Sequence, residues 1–184
     1  YGPKGALVFD LLSDYADKVV QNLDLPLFQV KGTNMFSLCE DPIAEHAALF
    51  GDRLYTVEDP DSKHKYVLRY AACHQQFSMI KHWQISYRHL PFGAYELADS
   101  YRLEQSGECM LAFRTRRLNM PDLHVFCEDE PKASDWFVKL HNRIMQEAAR
   151  FGQEYELLVN LSSMDAYSAN HELLQQIACD VNRP

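Results

Sequence analysis

Four arginines, Arg102, Arg114, Arg116 and Arg117, fall within sixteen residues, and Glu104 stands two places after the first. Arginines on two antiparallel strands place their cations on one sheet face, where a phosphate-rich ligand is attracted. The same residues also make a plain Arg–Glu pair on a wet sheet, which contributes little to stability. Cys73 and His124 are a thiol and an imidazole, both of which zinc accepts, and a catalytic zinc keeps three protein ligands and one open position. Taken alone, a cysteine after two alanines is more often a small buried hydrophobe, and a lone histidine a satisfied polar residue. Asp122, two places before His124, reads by itself as a strand-entry aspartate. His46, His64, His74, His82, His89 and His141 show no ligand spacing. His74 adjoins Cys73, but neighbouring side chains on a helix diverge, and no orienting Asn or Asp and no nucleophile motif supports a thiol-protease dyad there.

Helices followed by short strands must position these residues. Ala6 to Val20 carries Leu7, Leu11, Tyr15 and Val19 in one stripe and Val8, Leu12, Ala16 and Val20 beside it, which predicts a helix with a wide buried face. Asp24-Leu-Pro26 ends it and leads into a strand, Leu27 to Val30. Asp41 as N-cap and Pro42 at the first helical position open a second helix, closed by Gly51. Arg53 to Glu58 and Lys65 to Tyr70 read as strands around the turn at 59–62, and Cys73 to Ile85 as a helix ended before Pro91. Ala94 to Leu97, Tyr101 to Glu104, Met110 to Arg116 and Leu123 to Cys127 then read as an antiparallel meander, with the turn at 105–108 joining the second to the third. A helix Ser134 to Arg150, a strand Tyr155 to Leu161 and a helix from about Ala169 to Cys179 complete an α+β domain, an antiparallel sheet flanked by helices. No repeat or linker divides 1–184, so one domain is expected.

The charge is uneven. Net −8 over 184 residues argues against a general nucleic-acid binder, yet residues 63–117 carry nine Lys/Arg and four Asp/Glu. Residues 1–62 carry four and eleven, and 118–184 five and eleven, so the basic stretch is an island in an acidic chain. Five cysteines with irregular spacing and no CxxC pair indicate reduced thiols and a cytoplasmic setting rather than a disulfide framework. No apolar run approaches the ~20 residues of a membrane helix, and the first residues lack a secretory pattern. Tyr1 in place of Met suggests a domain cut from a longer protein.

The Tyr101-Arg102-Leu-Glu104 segment, a turn, and Phe113-Arg114-Thr-Arg116-Arg117 resemble motif 2 of the class II aminoacyl-tRNA synthetases. The surrounding text narrows this. Tyr87-Arg-His-Leu-Pro91, Tyr95-Glu96-Leu97, Ser106-Gly-Glu108 and Asn119-Met-Pro-Asp-Leu-His124 are similar to threonyl-tRNA synthetases. Leu68-Arg-Tyr-Ala-Ala-Cys73, Met120-Pro-Asp122-x-His124 and the 41–55 segment resemble their archaeal branch. The segment 5–30 is similar to motif 1, which builds the dimer interface.

That resemblance implies activation of threonine with ATP and Mg²⁺, transfer to tRNA(Thr), and a homodimer. It implies Arg102 at the α-phosphate, Glu104 at the adenine amino group, Arg114 at the terminal phosphate with Arg116 close by, and Cys73 and His124 as two of three zinc ligands. Cys73 lies 29 residues before Arg102 and His124 22 after it, as in the family. Asp122 matches the acceptor of the substrate ammonium, and the zinc takes threonine's amino and hydroxyl groups. The third zinc ligand, motif 3, the editing site and the anticodon-binding domain are not found in the chain. His171 precedes the place expected for that ligand and is not assigned to it. Leu118 stands where the family usually stacks a phenylalanine on adenine, giving up an aromatic contact of ~0.5–1.5 kcal/mol. The expectation is therefore a catalytic-core fragment ending before motif 3, nearly inactive in isolation. Two alternatives are a synthetase-like paralogue that binds nucleotide or tRNA without aminoacylating it, and a non-enzymatic dimerisation module.

Overall fold

The structure, a computed structural model, describes residues 1–152 and 156–180. It divides into two compact units, Tyr1–Phe126 and Cys127–Pro184.

In the first unit, α1 (Pro3–Gln21) leads to a short strand β1 (Leu27–Gln29). β2 (Met35–Ser37), β4 (Lys65–Leu68) and β3 (Thr56–Glu58) form an antiparallel sheet in that order, with α2 (Asp41–Ala48) between β2 and β3 in sequence. Asp59 shapes the β3–β4 turn by accepting from the backbone N–H groups of Asp61 (2.8 Å) and Ser62 (3.1 Å). Phe36, Ala47, Val67 and Tyr70 are the core of this part. His46 Nδ1 and His74 Nε2, which the spacing left unpaired, meet there at 2.9 Å, so His74 turns into this core. The N-cap of α2 is Glu40, with no side-chain cap bond, and Asp41 lies in the first turn. Its carboxylate there complements the helix dipole instead of capping it. Gly51 (φ +51°) opens a 3₁₀ turn, 51–53.

α3 (Cys73–Ile80) stops five residues short of the expected Ile85, because Ser86 starts a new capping box over a 3₁₀ turn at 87–89. The four-stranded meander is instead one long hairpin. β5 (Phe92–Tyr101) pairs antiparallel with β6 (Arg117–Phe126) over ten residue pairs, and β1 lies parallel on the other side of β5. Pro121, which has no N–H to donate, is tolerated inside β6 because β6 is an edge strand. Residues 102–116 form the connecting loop, with a single isolated bridge between Met110 and Arg114. Left-handed backbone at Gly107 (φ +89°) and Leu111 (φ +43°) folds that loop on itself, so neither arginine-bearing run continues as a strand.

The wide buried face expected for α1 is not closed. Val20 is its one buried residue, while Leu7, Val8, Leu11 and Leu12 are more than half exposed. The C-terminal half is anchored, with Tyr95 Oη donating to Asp17 at 2.6 Å.

In the second unit, α4 (Glu130–Arg150) starts at Asp129, which accepts from the Lys132 N–H at 2.9 Å. Residues 156–161 form no strand, and Tyr155, the first residue of the expected strand, lies outside the described residues. The last expected helix is α6 (His171–Asp180), and a short helix the sequence reading did not include, α5 (Met164–Ala169), precedes it, separated at Asn170.

Candidate active site

Strand alternation sorts the candidate residues between two faces of the β5–β6 hairpin. Leu118, Met120, Asp122 and His124 share one face, opposite Ser100, Ala98, Glu96 and Ala94. Three of those four partners are small, so this face is a floor with little side chain on the β5 half. Arg117 and Asn119 point to the other face, where both donate to Asp99, Arg117 at 2.9 and 3.1 Å. Arg117 therefore leaves the arginine cluster that the sequence suggested.

At the Phe126 end of β6, the floor meets the start of α3. The Cys73 thiol, an Asp122 carboxylate oxygen and a His124 ring nitrogen all lie within 4.8 Å of one another. Burial pushes the Cys73 thiol above its ordinary value, and the Asp122 charge adds to it. Burial likewise raises the Asp122 carboxyl, with His124 opposing and Glu96 reinforcing the shift. The thiol and the imidazole, both half-buried, are a donor pair that fits zinc, with the Asp122 carboxylate beside them.

Behind this cluster lies a polar layer that the sequence did not flag. Gln76 is fully buried; its Nε2 donates to Asp122 Oδ2 (2.9 Å), and its Oε1 pairs with His124 Nδ1 at 2.8 Å. Arg69, also buried, grips Glu96 in a two-point contact (2.6 and 3.0 Å) and donates to the Ala72 carbonyl beside Cys73. Gln75 and the Gly32 N–H complete the shell around Glu96. Glu96 and Asp122 are direct cross-strand partners, and like charges facing each other are destabilising; Arg69 offsets one of them. Glutamines inside an apolar helical pattern are the only sequence trace of this layer.

At the other end, the loop gathers the remaining candidates. Glu104 is buried and accepts from Arg114 Nη2 (2.8 Å) and Nε (3.1 Å), while Arg53 approaches it at 3.6 Å. Arg116 Nε donates to the Glu104 carbonyl at 3.0 Å. Glu108 closes the group, within 3.4 Å of Arg53 and 3.8 Å of Arg114. Arg102 has no carboxylate in ion-pair range among the described residues. Its guanidinium lies 5.6 Å from the centre of the Phe50 ring, and its buried Nε lacks a hydrogen-bond partner. A separate concavity of about 510 Å³, lined by Pro26, Phe28, Trp83, Ile85 and Phe92 among others, contains none of the candidate residues.

Residues 55–181 match the family described as tRNA synthetase class II core domain (G, H, P, S and T). The chain is 49% identical over 184 residues to a threonine–tRNA ligase of Nanoarchaeum equitans, covering all of this chain and 29% of that protein. It is 50% identical over 162 residues to one of Thermofilum pendens, covering 88% of this chain and 26% of that one. Thus it spans less than a third of the length of these relatives. Among solved structures, the RNA binding domain of threonyl-tRNA synthetase from Cryptosporidium parvum superposes with a TM-score of 0.79 at 18% identity, covering 100% of this chain and 46% of that one. A threonyl-tRNA synthetase, ThrRS-1, of Aeropyrum pernix gives 0.64 at 15%, covering 93% and 40%.

Proposed function

The chain belongs to the class II tRNA synthetase core family, and from that premise we propose that it is part of a threonine–tRNA ligase, the part that forms threonyl-adenylate from threonine and ATP. The observation that carries this reading is that Cys73, at the start of α3, meets Asp122 and His124 on the sheet floor whose hairpin ends in the arginine loop. An amino-acid subsite and a phosphate subsite are both needed when a carboxylate attacks the α-phosphate of ATP and pyrophosphate leaves.

Arg102 holds the α-phosphate. With no carboxylate in ion-pair range among the described residues, its charge is not already neutralised, and Phe50 beneath it holds the guanidinium in place. Each charge-assisted hydrogen bond contributes roughly 1.5–3 kcal/mol, and more where it is aimed at charge developing in the transition state. Arg114 reaches the terminal phosphate only by leaving Glu104, and the same movement frees the Glu104 carboxylate to accept from the adenine amino group. Arg116 stays beside them through the Glu104 carbonyl. Leu118, on the floor opposite Ser100, covers a face of adenine. Mg²⁺ accompanies ATP.

Cys73 and His124 would hold zinc, which when bound supplies an open coordination position for the amino and hydroxyl groups of threonine. Asp122 receives the amino group of threonine by accepting a hydrogen bond from it beside the zinc position. A site built to bind a hydroxyl rejects valine by something like 10⁴-fold, whereas serine, short by one methyl, is excluded by only ~10–200-fold. The exposed apolar residues of α1 support a homodimer through that helix, and the unpaired state of all five cysteines supports a cytoplasmic setting. Transfer to tRNA(Thr) completes the reaction of the whole protein.

The test is ATP–pyrophosphate exchange by the full-length protein with threonine, serine or valine, before and after zinc chelation. Exchange strongest with threonine, weaker with serine, absent with valine and lost on chelation is the expected result. No exchange with any of the three from a folded protein would overturn the reading.

A further inference from the structure

We propose that Gln76 is the positioning residue that fixes the tautomer of His124, making its ring a competent metal ligand; this rests on the reading of Cys73 and His124 as zinc ligands. The argument begins with the orientation of the Gln76 amide. Its Nε2 faces Asp122, approaching the side-chain Oδ2 at 2.9 Å and the main-chain carbonyl at 3.5 Å. A main-chain carbonyl accepts at every pH, so the NH₂ end belongs on that side. The Oε1 end is then directed at His124 Nδ1, 2.8 Å away. An amide oxygen only accepts, so Nδ1 carries the proton and the lone pair resides on Nε2. Zinc takes that lone pair, and a hydrogen bond at the other ring nitrogen is the usual device that orients a ligating imidazole.

The placement of Gln76 makes the constraint stiff. It is fully buried and stands three residues after Cys73 on α3, so one helical turn carries both the thiol and the group that aligns the imidazole. The Phe77 ring, 4.7 Å from the His124 ring centre, limits rotation from another side. One amide on α3 therefore links two members of the cluster, Asp122 and His124 on β6, and its helix carries the third.

The experiment compares zinc dissociation constants by chelator competition in the full-length protein, with thermal unfolding of each zinc-free variant as a check of folding. Gln76→Met keeps the volume but removes the acceptor; Gln76→Asn keeps the amide but is too short to span both partners; Gln76→Glu keeps an acceptor for Nδ1–H and loses the donor to Asp122. Zinc binding weakened about 10–100-fold in Q76M and Q76N, with Q76E within about threefold of the parent, is the expected pattern. Equal weakening in all three variants would reduce Gln76 to a packing role and overturn the proposal. So would parent-like zinc binding in Q76M and Q76N. C73S and H124N test the underlying assignment separately: if both retain zinc like the parent, the ligand assignment itself fails and the role of Gln76 falls with it.

Discussion

Asp122 is a carboxylate that the fold holds at a cost to its own stability. Burial lifts its pKa, with the cross-strand neighbour Glu96 adding to the rise. Because the folded value lies above the unfolded one, folding favours the protonated form. That contribution is present below the unfolded value and is lost as pH rises through the folded value, so at neutral pH the ionised Asp122 is a burden. Asp122→Asn is expected to stabilise the zinc-free protein by about 1 kcal/mol while abolishing threonine-dependent exchange, checked by denaturant unfolding alongside the exchange assay. The Cys73 thiol is also raised, chiefly by burial. Zinc-free protein should therefore lose stability as pH climbs above the ordinary thiol range, and Cys73→Ser should flatten that alkaline loss in unfolding curves. Arg102→Ala is expected to lower the exchange rate by about 10²–10³-fold, the magnitude typical of removing one preorganised donor, with little change in melting temperature, since no ion pair is broken.

At the scale of elements, the β5–β6 hairpin sets which residues can cooperate. Its register puts Asp122 and His124 beside Glu96 and Ala94 and sends Arg117 to the opposite face; a slip of one residue would exchange the faces. The Arg69–Glu96 pair ties this hairpin to the segment entering α3. Its tightest neighbour is Gly32, whose N–H donates to Glu96 and where an added Cβ would lie 2.2–2.4 Å from the Gln75 side chain. Gln75 is buried and bonded to Glu96, so it has little freedom to retreat. Gly32→Ala is expected to destabilise by about 1–3 kcal/mol, measured by chemical denaturation. Breaking the buried ion pair with Arg69→Met should cost about 3–5 kcal/mol, because Glu96 is left uncompensated.

For the whole molecule, the basic island is less basic than its count suggests. Arg69 is matched by Glu96, Arg114 by Glu104 and Glu108, and Arg117 by Asp99. Within the 102–117 arginine cluster, only Arg102 and Arg116 have no carboxylate in ion-pair range among the described residues, which makes the cluster a focused rather than a broad site in a chain of net charge −8. Raising salt should accordingly weaken ATP binding only modestly, since one or two partly buried cations are screened little, and titration calorimetry of the full-length protein at two ionic strengths would show it.

Motif wording gave the family and singled out Cys73 and His124, which the fold brings together, because those depend on residue type and spacing along the chain; the arginine runs it read as two strands are a loop. Helix positions were legible for the same reason: periodicity is local. The length of the β5–β6 hairpin was not, since Pro121 and the small residues of β5 look like interruptions until an edge strand and a covered floor accommodate them. Nor was the open apolar face of α1, because an amphipathic stripe states that a helix has a partner without saying whether the chain itself supplies it. The buried Arg69, Gln75, Gln76 and Glu96 layer came only from the tertiary structure. A buried polar group is defined by the partners that satisfy it, and those partners lie 21 to 48 residues away in sequence.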